Sequence, residues 1–98
     1  MNSEEVTELI FAGHTIEVMH LIKETPGITV RDTILKPGKI GERTRWVRIQ
    51  GLTEAGLVME KDKENGEKTL YLTEAGKEIY QAIDHLMRTI KDNSEVRE

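Results

Sequence analysis

At 98 residues the chain has room for one domain with a modest core, because a chain of this size buries only about two thirds of the surface its unfolded form exposes. Charged residues make up 33% and hydrophobic residues 37%, too apolar for a disordered chain and too charged for a membrane protein, and no apolar run approaches the ~18 residues that span a bilayer. The acidic start MNSEEVTEL is unlike a signal peptide, so a cytoplasmic protein is expected, and the lack of cysteine excludes disulfides, a zinc finger and a cysteine nucleophile.

In chain order, Ser3 is read as the N-cap of a first helix, with Glu5 and Glu8 placed in its first turns near the positive end of the helix dipole. Leu9, Ala12, Ile16 and Met19 recur at helical spacing, and Val18, Leu21 and Ile22 widen the stripe. Gly13 leaves two options open, a single helix or a break near Ala12 to His14. Thr25-Pro26-Gly27 ends the segment. Ile28 to Val30 reads as a strand stub, or Thr29 caps a short helix running to Leu35. Lys36-Pro37-Gly38-Lys39 is expected to be a turn, after which Gly41 precedes a second helical run, ERTRWVRIQGLTEA.

The helical wheel of that run places Trp46, Ile49 and Leu52 inward with Thr53 beside them, and Arg43, Thr44, Val47, Arg48 and Gly51 outward. Arg45 falls between Ile49 and Leu52 and is read as the partner of a carboxylate. The string LTEAG follows twice, in two roles. At Leu52 to Gly56 it stops a helix, with Gly56 as the left-handed cap and Leu57 closing the apolar contact. At Leu72 to Gly76 it starts one, with Thr73 as N-cap and Glu74 in the first turn.

Between the copies, Asn65-Gly66 signals a type I′ hairpin pairing Met59 with Leu72 and Lys61 with Leu70. Its tip carries Lys61, Lys63 and Lys68 among acidic residues. In the last helix Ile79, Tyr80, Ile83, Leu86, Met87 and Ile90 make a stripe too wide for one small domain, so part is expected to seek a second copy of the chain. KDNSEVRE reads as a frayed tail. The order is mainly α with a small β-hairpin: residues 15–72 as core, 73–92 as a C-terminal helix and 93–98 as a polar tail.

The net charge of −4 hides a patch. From Arg31 to Arg48 six cations (Arg31, Lys36, Lys39, Arg43, Arg45, Arg48) face two anions (Asp32, Glu42), so this segment carries +4 and the rest of the chain −8. One positive surface on an otherwise acidic scaffold points to a polyanionic or acidic partner.

TRWVRIQGLTEAGLV resembles the end of a recognition helix entering a wing, and KTLYLTEAGKEI resembles a second wing strand followed by a dimerising helix. Over about residues 15–90 the chain resembles the winged helix-turn-helix regulators of the MarR-like, ArsR-like and PadR-like group. The resemblance implies sequence-specific binding of double-stranded DNA by a homodimeric transcriptional regulator. It would set residues 42–55 in the major groove and the wing, 57–72, beside the backbone. The implied DNA contacts are Arg31, Lys36, Lys39, Arg43, Thr44, Val47, Arg48, Lys61, Lys63 and Lys68; the implied dimer interface is Leu9, Ile79, Tyr80, Ile83, Leu86, Met87 and Ile90. Base-edge chemistry agrees, since arginine pairs with guanine, Thr44 and Val47 suit a thymine methyl, and Gly51 would let the helix lie close to the DNA backbone.

The alternative is a winged-helix protein-interaction module whose basic segment docks an acidic partner. An enzyme is not expected: HExxH, GxSxG and a phosphate-cradling glycine loop are all absent from the sequence. His14, Glu17 and His20 are read as solvated or capping groups and not as metal ligands. No cofactor and no membrane partner is expected, and no residue identifies a small-molecule effector.

Overall fold

The computed structural model describes residues 1–35 and 41–97, with side chains described as far as Ser94 on the last helix. Lys36, Lys39 and the turn expected around them lie outside the described residues. The elements are α1 (Ser3–Phe11), α2 (Thr15–Glu24), β1 (Ile28–Thr29), α3 (Val30–Leu35), α4 (Glu42–Glu54), β2 (Val58–Asp62), β3 (Lys68–Leu72) and α5 (Glu74–Arg97).

The first helical stretch is broken, and its cap is Asn2, one residue before Ser3. Asn2 accepts from the Glu5 backbone N–H at 2.9 Å while the Glu5 carboxylate accepts from the Asn2 N–H at 3.2 Å, a reciprocal capping box. His14, with φ of 70°, takes the left-handed turn that separates α1 from α2. The buried Thr15 hydroxyl then donates to the Leu9 carbonyl at 2.6 Å, tying the end of α1 to the start of α2. This break folds α1 back so that Leu9 and Ile10 enter the core.

That core is shared by Val18, Met19 and Ile22 of α2, Ile49 and Leu52 of α4, Val58 of β2, Leu70 and Leu72 of β3, and Tyr80 and Ile83 of α5. Trp46 is not among them. It is half exposed, contrary to the expectation from the wheel, while Arg45 is buried in its place.

The three-stranded antiparallel sheet has the order β1-β3-β2. β1 is two residues long because Thr29 immediately caps α3, its hydroxyl accepting from the Asp32 N–H at 3.0 Å. The hairpin register differs from the sequence expectation by one residue: Met59 pairs with Tyr71 and Lys61 with Thr69. The loop is Lys63 to Glu67, closed by Gly66 N–H to the Lys63 carbonyl at 2.9 Å and Lys63 N–H to the Glu67 carbonyl at 2.8 Å. Gly66 has φ of 85°, but Asn65 does not share the positive φ that a type I′ turn needs at both positions. The Asn65 side chain instead accepts from the Glu67 N–H at 3.0 Å, which favours the longer loop.

The two LTEAG copies take the two roles expected of them. At the first, Leu57 N–H bonds the Leu52 carbonyl at 2.9 Å and Gly56 N–H the Thr53 carbonyl at 3.1 Å, with Gly56 at φ of 76°, a Schellman closure. At the second, the Thr73 hydroxyl accepts from the Gly76 N–H at 3.0 Å. The same hydroxyl donates to the Gly56 carbonyl at 2.7 Å, so the copies also hold each other.

α5 continues to Arg97, past the point where a frayed tail was expected. Ion pairing of Arg88 with Asp84 at 3.0 Å and bonding of Asn93 to the Thr89 carbonyl at 2.8 Å support its outer turns at i,i+4 spacing. Its first ten residues pack on the core, and from His85 to Ser94 every residue is exposed.

Candidate nucleic-acid interface

The basic segment lies on α3 and α4, and its geometry follows from Arg45. In α3 the buried Thr33 hydroxyl donates back to the Thr29 carbonyl at 2.9 Å, and the helix is only six residues long, so its last carbonyls lack partners within the helix. Arg45, 5% exposed, supplies donors: its Nη1 lies 3.2 Å from the Thr33 carbonyl and 3.5 Å from that of Ile34. In these bonds Arg45 meets the C-terminal carbonyls of α3. A cation at the negative end of a helix is also favoured by the dipole.

Burying Arg45 rotates α4 about its axis relative to the sequence expectation. The inward side is Arg45, Ile49 and Leu52, and the outward side is Arg43, Trp46, Val47, Gln50 and Glu54. Of the residues expected to face outward, Arg43 and Val47 do. Thr44 and Arg48 are half-buried on the flank. Arg48 Nε donates to the Gly13 carbonyl at 2.8 Å, which anchors α4 to the break between α1 and α2. Gly51 serves the interior of the fold: a Cβ there would stand 2.9 Å from Leu9 Cδ1, so the glycine admits α1 and not a DNA strand.

Trp46 and Gln50 were missed as surface groups. Their signal was present in the i, i+3, i+4 relation to Arg43 and Val47, but it emerges only once Arg45 is placed inside.

Arg31 is exposed on α3. On the wing, Lys61, Lys63 and Lys68 are all exposed. Lys61 Nζ sits 4.9 Å from the Tyr71 ring centroid, and Lys68 pairs with Glu60 at 3.4 Å. The wing cations are therefore partly engaged by their own hairpin.

The residues expected at a dimer interface divide into two sets. Leu9, Tyr80 and Ile83 are buried in the chain's own core and Ile79 packs against it. Leu9 is taken up by the folding back of α1, and Tyr80 by a hydrogen bond between its hydroxyl and His20 Nδ1. Leu86, Met87 and Ile90 are exposed on the outer half of α5. His14 Nδ1 lies 3.1 Å from Glu17, and among the described residues no three His, Cys, Asp or Glu side chains converge as a metal site would require. No helix is long and apolar enough to cross a membrane among the described residues.

No protein-family model and no curated protein matches the sequence. Solved structures do match the fold. An uncharacterised SlyA-like transcription regulator from Listeria monocytogenes superposes with a TM-score of 0.69 at 26% identity, over 95% of this chain and 62% of that one. MepR, a transcription regulator of the Staphylococcus aureus multidrug efflux pump MepA, gives a TM-score of 0.78 at 12% identity, over 97% and 71% of the two chains. Streptococcus pneumoniae FabT, solved in complex with DNA, gives 0.69 at 15% identity, over 92% and 67%.

The chain therefore spans less than two thirds of the Listeria regulator's length. Its fold is the winged helix-turn-helix of the MarR and SlyA group, mostly helical with a three-stranded antiparallel sheet and a long C-terminal helix.

Proposed function

We propose that this chain binds double-stranded DNA sequence-specifically as a homodimeric transcriptional regulator, with α4 in the major groove and the β2–β3 wing beside the backbone. The observation that carries the reading is the outward ridge of α4. Its fork-shaped cation, Arg43, matches guanine O6 and N7, its amide, Gln50, matches adenine N6 and N7, and Val47 adds a small apolar tip. Arg31 and Lys61, Lys63 and Lys68 of the wing serve phosphates, as do Lys36 and Lys39 between the two helices. Arg48 acts one step back, holding α4 in place through the Gly13 carbonyl.

The fold shared with regulators, one of them solved with DNA, supports the same reading. So does the charge layout, which leaves the remainder of the chain acidic and so favours one orientation of approach. The second copy docks on Leu86, Met87 and Ile90, since ten residues of α5 stand clear of the core and these three are exposed among the described residues. Such a protein acts in the cytoplasm and performs no chemistry on its ligand.

Retention of random duplex DNA across a salt series tests the proposal. A dimer engaging three to five phosphates per chain gives a log-log slope of roughly −5 to −9. Lack of retention at micromolar protein in low salt would refute it.

A further inference from the structure

Resting on the DNA-binding reading above, we infer that Trp46 is a thymine-reading residue, its indole ring lying on the C5-methyl group in the major groove. Three observations lead there. The apolar residues Ile49 and Leu52 of the same helix are fully buried, yet Trp46 is 50% exposed, which leaves on the order of 100 Å² of aromatic side chain in water. Among the described residues no ring stacking or cation–π contact engages it, the ring contacts being His20 with Tyr80, Lys23 over Tyr80 and Lys61 over Tyr71. Finally, Trp46 sits between Arg43 at i−3 and Gln50 at i+4, with Val47 beside it, so it shares the ridge with the groups best suited to base edges.

The chemistry singles out one base. On the major-groove edge thymine alone presents an acceptor, O4, next to an apolar methyl group. Indole presents a donor, Nε1–H, as part of an otherwise apolar ring. Cytosine would turn a donor, its N4 amino group, toward the indole N–H and offers no methyl; adenine exposes N6–H₂ beside N7, and guanine offers acceptors at O6 and N7 but no methyl for the ring to cover. Trp46 therefore favours thymine at one position in each half-site, flanked by the positions that Arg43 and Gln50 read.

The test begins with duplexes enriched from a random pool by the wild-type protein. Each thymine common to them is replaced singly by deoxyuridine, which removes only the methyl group. Binding is measured by anisotropy of labelled duplex for the wild type and Trp46→Ala, with circular dichroism to check folding. The wild type should lose about fourfold in affinity at one thymine per half-site, the weight of one buried methyl group, and Trp46→Ala should bind the thymine and deoxyuridine duplexes equally.

Trp46 is the only tryptophan, so its emission is a second readout that needs no variant. Saturation with the enriched duplex should quench it, and by less with the deoxyuridine duplex. Undiminished discrimination in Trp46→Ala, or unchanged emission at saturation, overturns the role of Trp46 while leaving DNA binding intact. Failure of every duplex to bind overturns both readings.

Discussion

Among the described glycines, Gly76 is where an added methyl group meets the closest obstacle. It lies in the first turn of α5 against the wing root, and a Cβ there would stand 2.1 Å from the Leu57 carbonyl oxygen, 3.0 Å from its carbon and 3.4 Å from its Cα. The obstacle is backbone, which has no rotamer to yield, so in Gly76→Ala the start of α5 must move by on the order of 1 Å. Three hydrogen bonds converge on that contact and would stretch together: Thr73 N–H to the Leu57 carbonyl at 3.0 Å, the Thr73 hydroxyl to the Gly56 carbonyl at 2.7 Å, and Gly76 N–H to the Thr73 hydroxyl at 3.0 Å.

Overpacking costs about 1–3 kcal/mol and a weakened N-cap about 1 kcal/mol more, while alanine regains about 1 kcal/mol of helix propensity. The net is a loss of about 2 kcal/mol. At 4–8 °C per kcal/mol for a domain of this size, the melting temperature falls by roughly 8–16 °C. Thermal and urea melts followed at 222 nm measure it, with Gly13→Ala as control, since nothing lies within 4 Å of a Cβ at position 13. A Gly76→Ala melt within about 3 °C of wild type would mean that α5 slides on the wing without penalty, contrary to the reasoning.

Arg45→Met keeps the volume but removes the donors to the Thr33 and Ile34 carbonyls, and should cost about 2 kcal/mol in urea denaturation and weaken DNA retention through misplacement of α4. Ile90→Glu sets a charge on the exposed half of α5 and should convert the proposed dimer to a monomer in sedimentation velocity at unchanged helix content. Tyr80 ionises above the usual tyrosine value near 10, chiefly because burial disfavours the phenolate; the nearby Lys23 cation opposes this and Asp84 and Glu24 add to it. The neutral phenol is thus favoured by the fold, a contribution fully present below pH 10 and lost as pH rises through the folded value. Wild-type stability should therefore fall more steeply above pH 10 than that of Tyr80→Phe, as read from urea melts across the alkaline range.

The element order was legible in the sequence because its punctuation is local: Pro26-Gly27, the two LTEAG strings and Asn65-Gly66 each act within a few residues of themselves. The rotation of α4 was not. Hydrophobicity alone places Trp46 inside and Arg45 at the flank, and the deciding demand comes from unbonded carbonyls on α3, ten or more residues away in the chain. Gly51 was misread for a similar reason, since its neighbour Leu9 belongs to another helix. The hairpin register turned on one side-chain hydrogen bond, Asn65 to Glu67 N–H, which selects a longer loop than the dipeptide suggests and shifts every facing pair by one. Arg43 and Val47, whose outward position is common to both wheel settings, were readable without coordinates.

Arg45 grows from one helix and grips the far end of the other, so α3 and α4 share a pin that solvent barely reaches. The two helices are thereby joined at one buried polar contact as well as through their packing. On the DNA-binding proposal, the docking angle of the pair would then be set from beneath by a buried side chain, and substitution there would redirect the helix while leaving its outward residues in place.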